Sequence, residues 1–377
     1  MYALVYAITR PTTIFIINMK ENSERLYTQT NILTPSARYT EGMAQQYDFV
    51  AIGDIVVDAF IDLSKNDASV VCDINGKPCQ LMMNFGDKLP YTDVTIVNAV
   101  GNSPNAAVSA KRLGLQTALV TNLGHDRWGT DCLDALRAED VHTEYVKVHE
   151  GKKTNYHYVL RYGPERTILI KHEAYPYILP AFPEAPRFIY FSSVGEDSIP
   201  FHHEIAAYVS KHPETKLAFQ PGTFQIKLGH EALKDLYAVT EIFFCNKEEA
   251  QSILKTKETH VPTLIREFKK LGPKLPVITD GPHGAYVVDE NDQAWHMPMY
   301  PDPAEPVDRT GAGDAFASTF TSAIALGKSP EEALTWGPIN SMSVVQHIGA
   351  QKGLLSLSDL ESYLASAPPE YVAQKIT

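Results

Sequence analysis

The sequence predicts an α/β protein built on a mostly parallel sheet covered by helices on both faces, with a smaller accessory β-sheet beside it. Three observations predict this. Short, mostly apolar strand runs at Phe49 to Phe191 and beyond (Phe49–Ile52, Phe188–Phe191, Lys216–Phe219, Ile242–Phe244, Pro276–Thr279) are separated by helical segments, the alternation a covered parallel sheet requires. Two stretches, Ser69 to Val97 and Thr154 to His172, break that rhythm with the turns Asn75-Gly76, Asn84-Phe85-Gly86 and Gly163-Pro164, and read as β-hairpins forming a lid. The 377 residues, 44% of them hydrophobic, are enough for one large core or two smaller ones.

Taken in chain order, residues 1 to 18 contain the apolar patch Ile14-Phe15-Ile16-Ile17, but Arg10 and Pro11 interrupt it. The stretch is too short to cross a bilayer and lacks the basic start and small-residue cleavage site of a secretory signal. Residues 19 to 46 are polar and aperiodic, so residues 1–44 are expected to be an extension outside the fold, with residues 45–377 as the folded domain. Phe49–Ile52 reads as a buried strand running through Gly53-Asp54 to Val56-Val57-Asp58, with carboxylates at its end. The lid is expected from about 59–99 and 142–173.

Residues 103 to 114 read as a helix that starts at Ser103-Pro104, buries Ala106, Ala107, Ala110 and Leu113, and stops at Gly114. Leu119-Val120-Thr121 follows as a strand. Near the C-terminal end, Phe316, Phe320 and Ile324 recur every four residues and Gly327 follows, so a helix is expected from Asp314 onward.

A formal net charge of −12 without a long Lys/Arg run argues against a nucleic-acid partner. Cys72, Cys79, Cys132 and Cys245 lack zinc-site spacing and are too few to staple this chain, so they are expected to be reduced thiols in a cytoplasmic protein.

The most informative run is Val307-Asp308-Arg309-Thr310-Gly311-Ala312-Gly313-Asp314-Ala315-Phe316. A helix N-terminus presents free N–H groups and the positive end of its dipole, and Gly311, Ala312 and Gly313 leave the approach open for an anion such as phosphate. Asp314 is awkward beside an anion unless it faces a proton to be removed; taken alone, the run reads equally as a tight turn with a dipole-stabilising acid.

Ligands of open α/β sheets bind beyond the carboxyl ends of the strands, and polar clusters stand there along this chain. Asp58 is either a sugar-hydroxyl acceptor or a solvated turn carboxylate, and Asn105 in Gly101-Asn102-Ser103-Pro104-Asn105 is a ligand amide or a cap. Gly124-His125-Asp126-Arg127-Trp128-Gly129 reads as a capped turn. Asn246-Lys247-Glu248-Glu249 can organise Mg²⁺ through water or simply cap a helix, and Thr279-Asp280-Gly281-Pro282-His283-Gly284 is a hairpin able to offer a hydroxyl and N–H groups to phosphates.

The joint order of these clusters resembles the ribokinase-like, or PfkB, family of carbohydrate kinases over about residues 47 to 366. The resemblance implies a three-layer α/β/α domain with a β-sheet lid that uses ATP and Mg²⁺ to phosphorylate a hydroxyl of a sugar or nucleoside. It implies Asp314 as the catalytic base with Gly311, Ala312 and Gly313 as the anion hole, and substrate contacts at Asp58, Gly101 and Asn105. Asn246 and Glu249 match the motif that organises Mg²⁺ and phosphate. Thr279, Gly281 and Gly284 fall on the nucleotide loop, Asn340 borders the adenine, and Asp308, Thr310 and the Gly349 carbonyl fall where many members bind K⁺. Lid strands of this family often pair between subunits, which implies a homodimer.

The chain departs from the pattern at Val100, where many members have glycine, at Val56, where ribokinase-type sugar enzymes have Asn, and at Arg309, where a small or hydroxylated residue is more common. These departures touch the acceptor and the cation site and leave Asp314 intact. A sugar kinase of the ribokinase or fructokinase kind is expected, with a nucleoside kinase as the alternative. Phe85, Tyr91, Tyr156 and Tyr158 could stack on a base or form lid core. A reading of another class is a non-catalytic protein that binds sugar or nucleotide for regulation.

Overall fold

The computed structural model describes residues 46–63, 67–72, 79–163 and 165–376. The expected N-terminal extension, the Asn75-Gly76 turn and Pro164 lie outside the described residues.

The first half of the described chain runs through β1 (Phe49–Ile52), β2 (Val56–Leu63), β3 (Ala68–Val71), β4 (Gln80–Met83), β5 (Tyr91–Val100), α1 (Asn102–Arg112), β6 (Thr117–Gly124), α2 (Arg127–Ala138), β7 (Val146–His149), β8 (Asn155–Tyr162) and β9 (Glu165–Leu169). Strand and helix then alternate as β10 (Phe188–Phe191), α3 (Ile199–Lys211), β11 (Lys216–Phe219), α4 (Thr223–Leu228), α5 (Lys234–Val239), β12 (Thr240–Asn246), α6 (Lys247–Leu254) and α7 (Val261–Lys270). The remainder comprises β13 (Leu275–Thr279), β14 (Ala285–Val288), β15 (Ala294–Met297), α8 (Ala312–Ala325), α9 (Pro330–Val345), α10 (Leu357–Ala365) and β16 (Gln374–Ile376).

Among the described residues the central sheet has ten strands in the order β16-β15-β14-β13-β12-β11-β10-β1-β6-β7. It is parallel from β13 to β7, and the last three strands at the other edge pair antiparallel. Side-chain alternation along a strand divides the core in two. Phe49 and Ala51 of β1 join the core that contains α1, α8 and α9, whereas Val50 and Ile52 join the core beneath α3, α5 and α7. The result is the three-layer α/β/α sandwich.

The lid is a four-stranded sheet in the order β5-β2-β8-β9. The segment Val56-Val57-Asp58 is not the tail of the first strand. The chain bends after Ile52 and re-forms as β2, paired antiparallel with β5 and parallel with β8, so Asp58 lies inside the lid sheet opposite His157. Residues 146–149, within the stretch expected for the lid, instead extend the central sheet as β7 beside β6.

The expectation of four reduced cysteines is corrected. Cys72 and Cys79 form a disulfide with a Cα–Cα separation of 4.1 Å. The reason is the antiparallel β3–β4 hairpin, which sets the residues after one strand and before the other directly across from each other. Cys132 and Cys245 are free and buried.

Helix α8 is buried on nearly all sides, and its small, hydroxylated sequence explains how. Alanines allow close approach to α1 and α9, while Ser318, Thr321 and Ser322 return their hydroxyls to carbonyls of the preceding turn at 3.3, 2.8 and 2.7 Å. The helix begins at Ala312, so Asp314 occupies its first turn and points toward the carboxyl edge of the sheet.

Candidate active site

Asp314 is half-buried at the floor of a cleft of about 370 Å³ between the lid and the carboxyl edge of the sheet. Three side-chain amides hold it. Asn102 and Gln220 donate to Oδ1 at 2.7 and 3.1 Å, and Asn105 donates to Oδ2 at 2.8 Å. The donors are themselves oriented: Gln351 donates to the Asn105 carbonyl oxygen at 3.0 Å, and the Tyr190 hydroxyl donates to that of Gln220. Burial raises the Asp314 carboxyl above the usual range. The amide donors oppose that rise and the charge of Asp58 adds to it.

Gly311 caps α8 in the left-handed region at φ 83°, and a Cβ there would stand 2.2 Å from the Ala350 side chain. Gly313 differs, because a Cβ placed there would meet nothing within 4 Å. Gly311, Ala312 and Gly313 therefore bring first-turn N–H groups, which lack intrahelical acceptors, to an open face beside Asp314.

Asp58 is on the opposite wall, 7% exposed, with Oδ1 lacking a hydrogen-bond partner and His157 Nδ1 3.4 Å away. A ligand hydroxyl would satisfy that acceptor. Gly101 also lines the cleft; its φ of 121° and its contact with the Asp54 carbonyl, 2.7 Å from where a Cβ would sit, let α1 start against the bend after β1. Asn105 is engaged at both ends of its amide, so in this structure it holds Asp314.

The expected nucleotide residues meet at a neighbouring edge. Asn246 and Thr279 are register partners across β12 and β13. Asn246 and Glu249 form a capping box, each accepting the other's backbone N–H at 2.8 and 2.9 Å, which realises the helix-cap reading. Glu249 nonetheless remains half-buried, with its carboxyl raised by burial and by the charge of Asp314, while the Asn246 N–H pulls it down. Gly281 and Gly284 shape the turn after β13, and Lys247 pins that turn through Asp280 at 2.8 Å. Asn340 does not join them: it is 0% exposed, donates to Thr319 at 2.7 Å and accepts from the Leu355 N–H at 3.0 Å.

Asp308, Thr310 and Gly349 do come together. Asp308 accepts the Thr310 N–H and hydroxyl at 3.0 and 2.8 Å and the Gly349 N–H at 3.0 Å. Gly349 thus presents its N–H to the Asp308 carboxylate, which accepts three protein donors and has about four acceptor sites. Among the described residues no cluster of three or more His, Cys, Asp or Glu is arranged to hold a metal ion.

Several residues of this site have no individual role in the sequence-based expectations, Asp54 among them although its Gly53-Asp54 cluster is named there. Asp54 is 5% exposed, receives the Tyr177 hydroxyl at 2.9 Å and stands 3.0 Å from His172 Nδ1. Gln220 directly follows the strand run Lys216–Phe219 and could have been found by the strand-end rule; Asn102 lies within the cluster already singled out. His157, Arg166, His172 and Phe224 line the cleft; lid pairing brings in His157 and Arg166, while Phe224 comes from α4. The aromatics considered for base stacking do not line it. Phe85, Tyr91 and Tyr158 are exposed and Tyr156 packs on Trp128 at 5.1 Å.

A half-buried carboxylate set beside an open helix N-terminus, at the strand ends of a lidded parallel sheet, defines a class of phosphotransferase with an alcohol acceptor. The comparisons agree. The profile described as pfkB family carbohydrate kinase matches residues 80–356, and the chain belongs to that family. Ribokinase of Bacillus subtilis (strain 168) is 28% identical over 310 residues, covering 78% of this chain and 99% of the relative. The structure of Arabidopsis thaliana ribokinase complexed with ribose and ATP has a TM-score of 0.70 at 20% identity, covering 85% of this chain and 99% of the other. A Methanocaldococcus jannaschii nucleoside kinase has a TM-score of 0.68 at 16% identity, with coverage of 85% and 99%. No helix among the described residues is long and apolar enough to cross a membrane.

Proposed function

We propose that the protein transfers the γ-phosphoryl group of ATP to a hydroxyl of a sugar, with Asp314 as general base. The observation that carries this is the set of three amides on Asp314. Donors without exchangeable charge fix both carboxylate oxygens and favour the ionised form, while the desolvated setting keeps the base strong enough to take a proton. Asp314 removes the hydroxyl proton, the oxygen attacks the γ-phosphorus, the bond to the bridging oxygen breaks, and ADP leaves. Gly311 to Gly313 offer N–H groups to the migrating group, and catalysis rests on this positioning.

The triphosphate is assigned to the Asn246, Thr279, Gly281 and Gly284 edge. Mg²⁺, when bound, neutralises triphosphate charge; Glu249 fits a water-mediated role toward it, with one oxygen on the cap and a second left over. Asp58 fits an acceptor hydroxyl. A sugar is favoured over a nucleoside because the aromatics considered as a base platform do not line the cleft.

A homodimer through the lid is supported by its outer face. By register, Ile96, Ala59, Tyr158 and Leu169 form one row across the four strands, and Ile96, Tyr158 and Leu169 are 45%, 49% and 52% exposed.

Asp314→Asn tests the base. It should abolish ADP release with every sugar tried while nucleotide binding persists; near-normal turnover would sink the reading, and tight sugar binding without turnover in the parent protein would favour the regulatory one.

A further inference from the structure

The charges of the cleft are unevenly answered. Two of its carboxylates have partners: Asp54 has Tyr177 and His172, and Asp58 stands beside His157. Two guanidinium groups are answered less closely, Arg166 on β9 of the lid and Arg309 in the turn before α8. Arg166, near the start of β9, is half-buried and lines the cleft, and among the described residues its side chain has no ion pair or hydrogen bond. Arg309 lines the same cleft, and its nearest carboxylate is Glu165 at 3.7 Å, with the two side chains 54% and 68% exposed. Water and salt screen a contact of that kind.

On a chain of net charge −12, one unpaired guanidinium, Arg166, and one paired only at the solvent-exposed rim, Arg309, in the same cleft point to an anion supplied from outside. The planar guanidinium fork suits a carboxylate or a phosphate ester, whereas a neutral sugar offers hydroxyls that leave the charge unanswered. Only the transferred end of ATP reaches this cleft, at Gly311 and Gly313; the residues assigned to the rest of the triphosphate, Asn246, Thr279 and Glu249, do not line it.

We propose that the acceptor is a sugar bearing an anionic group, a carboxylate or a phosphate ester, held by Arg166 and Arg309 while its reacting hydroxyl faces Asp314. The assignment rests on the phosphoryl-transfer reading for the identity of the ligand as acceptor, but its recognition chemistry is separable from turnover.

The test is therefore binding. The full chain, without nucleotide, is titrated calorimetrically with D-gluconate, D-fructose 6-phosphate, D-ribose and D-fructose. One of the two anions should bind roughly tenfold or more tightly than either neutral sugar, which is the range of a charge-assisted bond. Which anion wins distinguishes carboxylate from phosphate. Arg166→Met and Arg309→Met should each remove most of that preference, and Arg166→Lys, which keeps the charge without the fork, should restore part of it. Equal binding of neutral and anionic sugars overturns the proposal, as does failure of both anions to bind at millimolar concentration. Substitutions that weaken only ATP binding overturn it too, by assigning the arginines to the transferred phosphoryl group. A turnover-competent Asp314→Asn would refute the base and leave this result standing.

Discussion

Gln220 donates its side-chain N–H to Asp314 across 3.1 Å, from the end of a central strand to the first turn of a helix 94 residues further along the chain. A hydrogen bond to the ionised carboxylate lowers its pKa, and burial raises it. As the proposed base, Asp314 must be deprotonated to act, so kcat should fall on the acid side with a midpoint above the ordinary carboxylate value of about 4. Gln220→Met removes one stabiliser of the charged form and should move that midpoint to higher pH. A midpoint that stays in place or moves down in the kcat profile would separate Gln220 from the titration of the base.

Two glycines of the same turn should respond differently to alanine. Gly311→Ala sets a Cβ 2.2 Å from the Ala350 side chain at a left-handed φ and should lower Tm together with activity. Gly313→Ala meets no atom within 4 Å and replaces glycine inside a helix, which favours stability by about 1 kcal/mol. Its Tm should hold or rise while kcat drops, because the methyl stands where the phosphoryl group approaches. Melting curves and steady-state rates on the two variants check the contrast.

The thiols offer a chemical count. Burial pushes the Cys132 thiol up to about 12 and raises Cys245 strongly, so neither should react with an aromatic disulfide reagent in the folded protein. Cys72 and Cys79 are joined. The native protein should therefore show almost no reactive thiol, and mild reduction should release two. Two fast-reacting thiols before reduction would show that the hairpin is not oxidised.

If the outer row of the lid is covered by a second copy, Leu169→Asp should convert a dimer to a monomer in light scattering, because a carboxylate in the middle of an apolar interface loses its water. A parent protein that is already monomeric at high concentration would remove the lid from consideration as an interface.

The frame of this fold was legible because apolar strand runs such as Phe188–Phe191 carry their signal locally, and so does the small-residue turn before Asp314. The lid was less legible. Val56-Val57-Asp58 follows Phe49–Ile52 so closely that only the bend between them shows two strands in two sheets. His157 and Arg166 enter the cleft through strand pairing, which leaves no mark in spacing along the chain. Asn340 misled for a related reason: the sequence gives its neighbourhood on a helix but not the two partners, Thr319 and Leu355, that occupy its amide. The disulfide depended on a hairpin register that seven residues of separation do not specify.

The Gln351 side chain, which donates to both Asn105 and the Ala99 carbonyl, ties the aim of the Asp314 site to a residue on the far side of α9 in the chain. A growing polypeptide that has already made the turn around Asp314 still lacks the amide that aims Asn105 at it. The proposed nucleotide residues Asn246, Thr279 and Glu249 do not contact Gln351, so a chain lacking that amide should bind ATP without being able to discharge it. Gln351→Ala should therefore lower kcat while nucleotide binding persists, and an unchanged kcat would show that Gln351 is not needed to set Asp314.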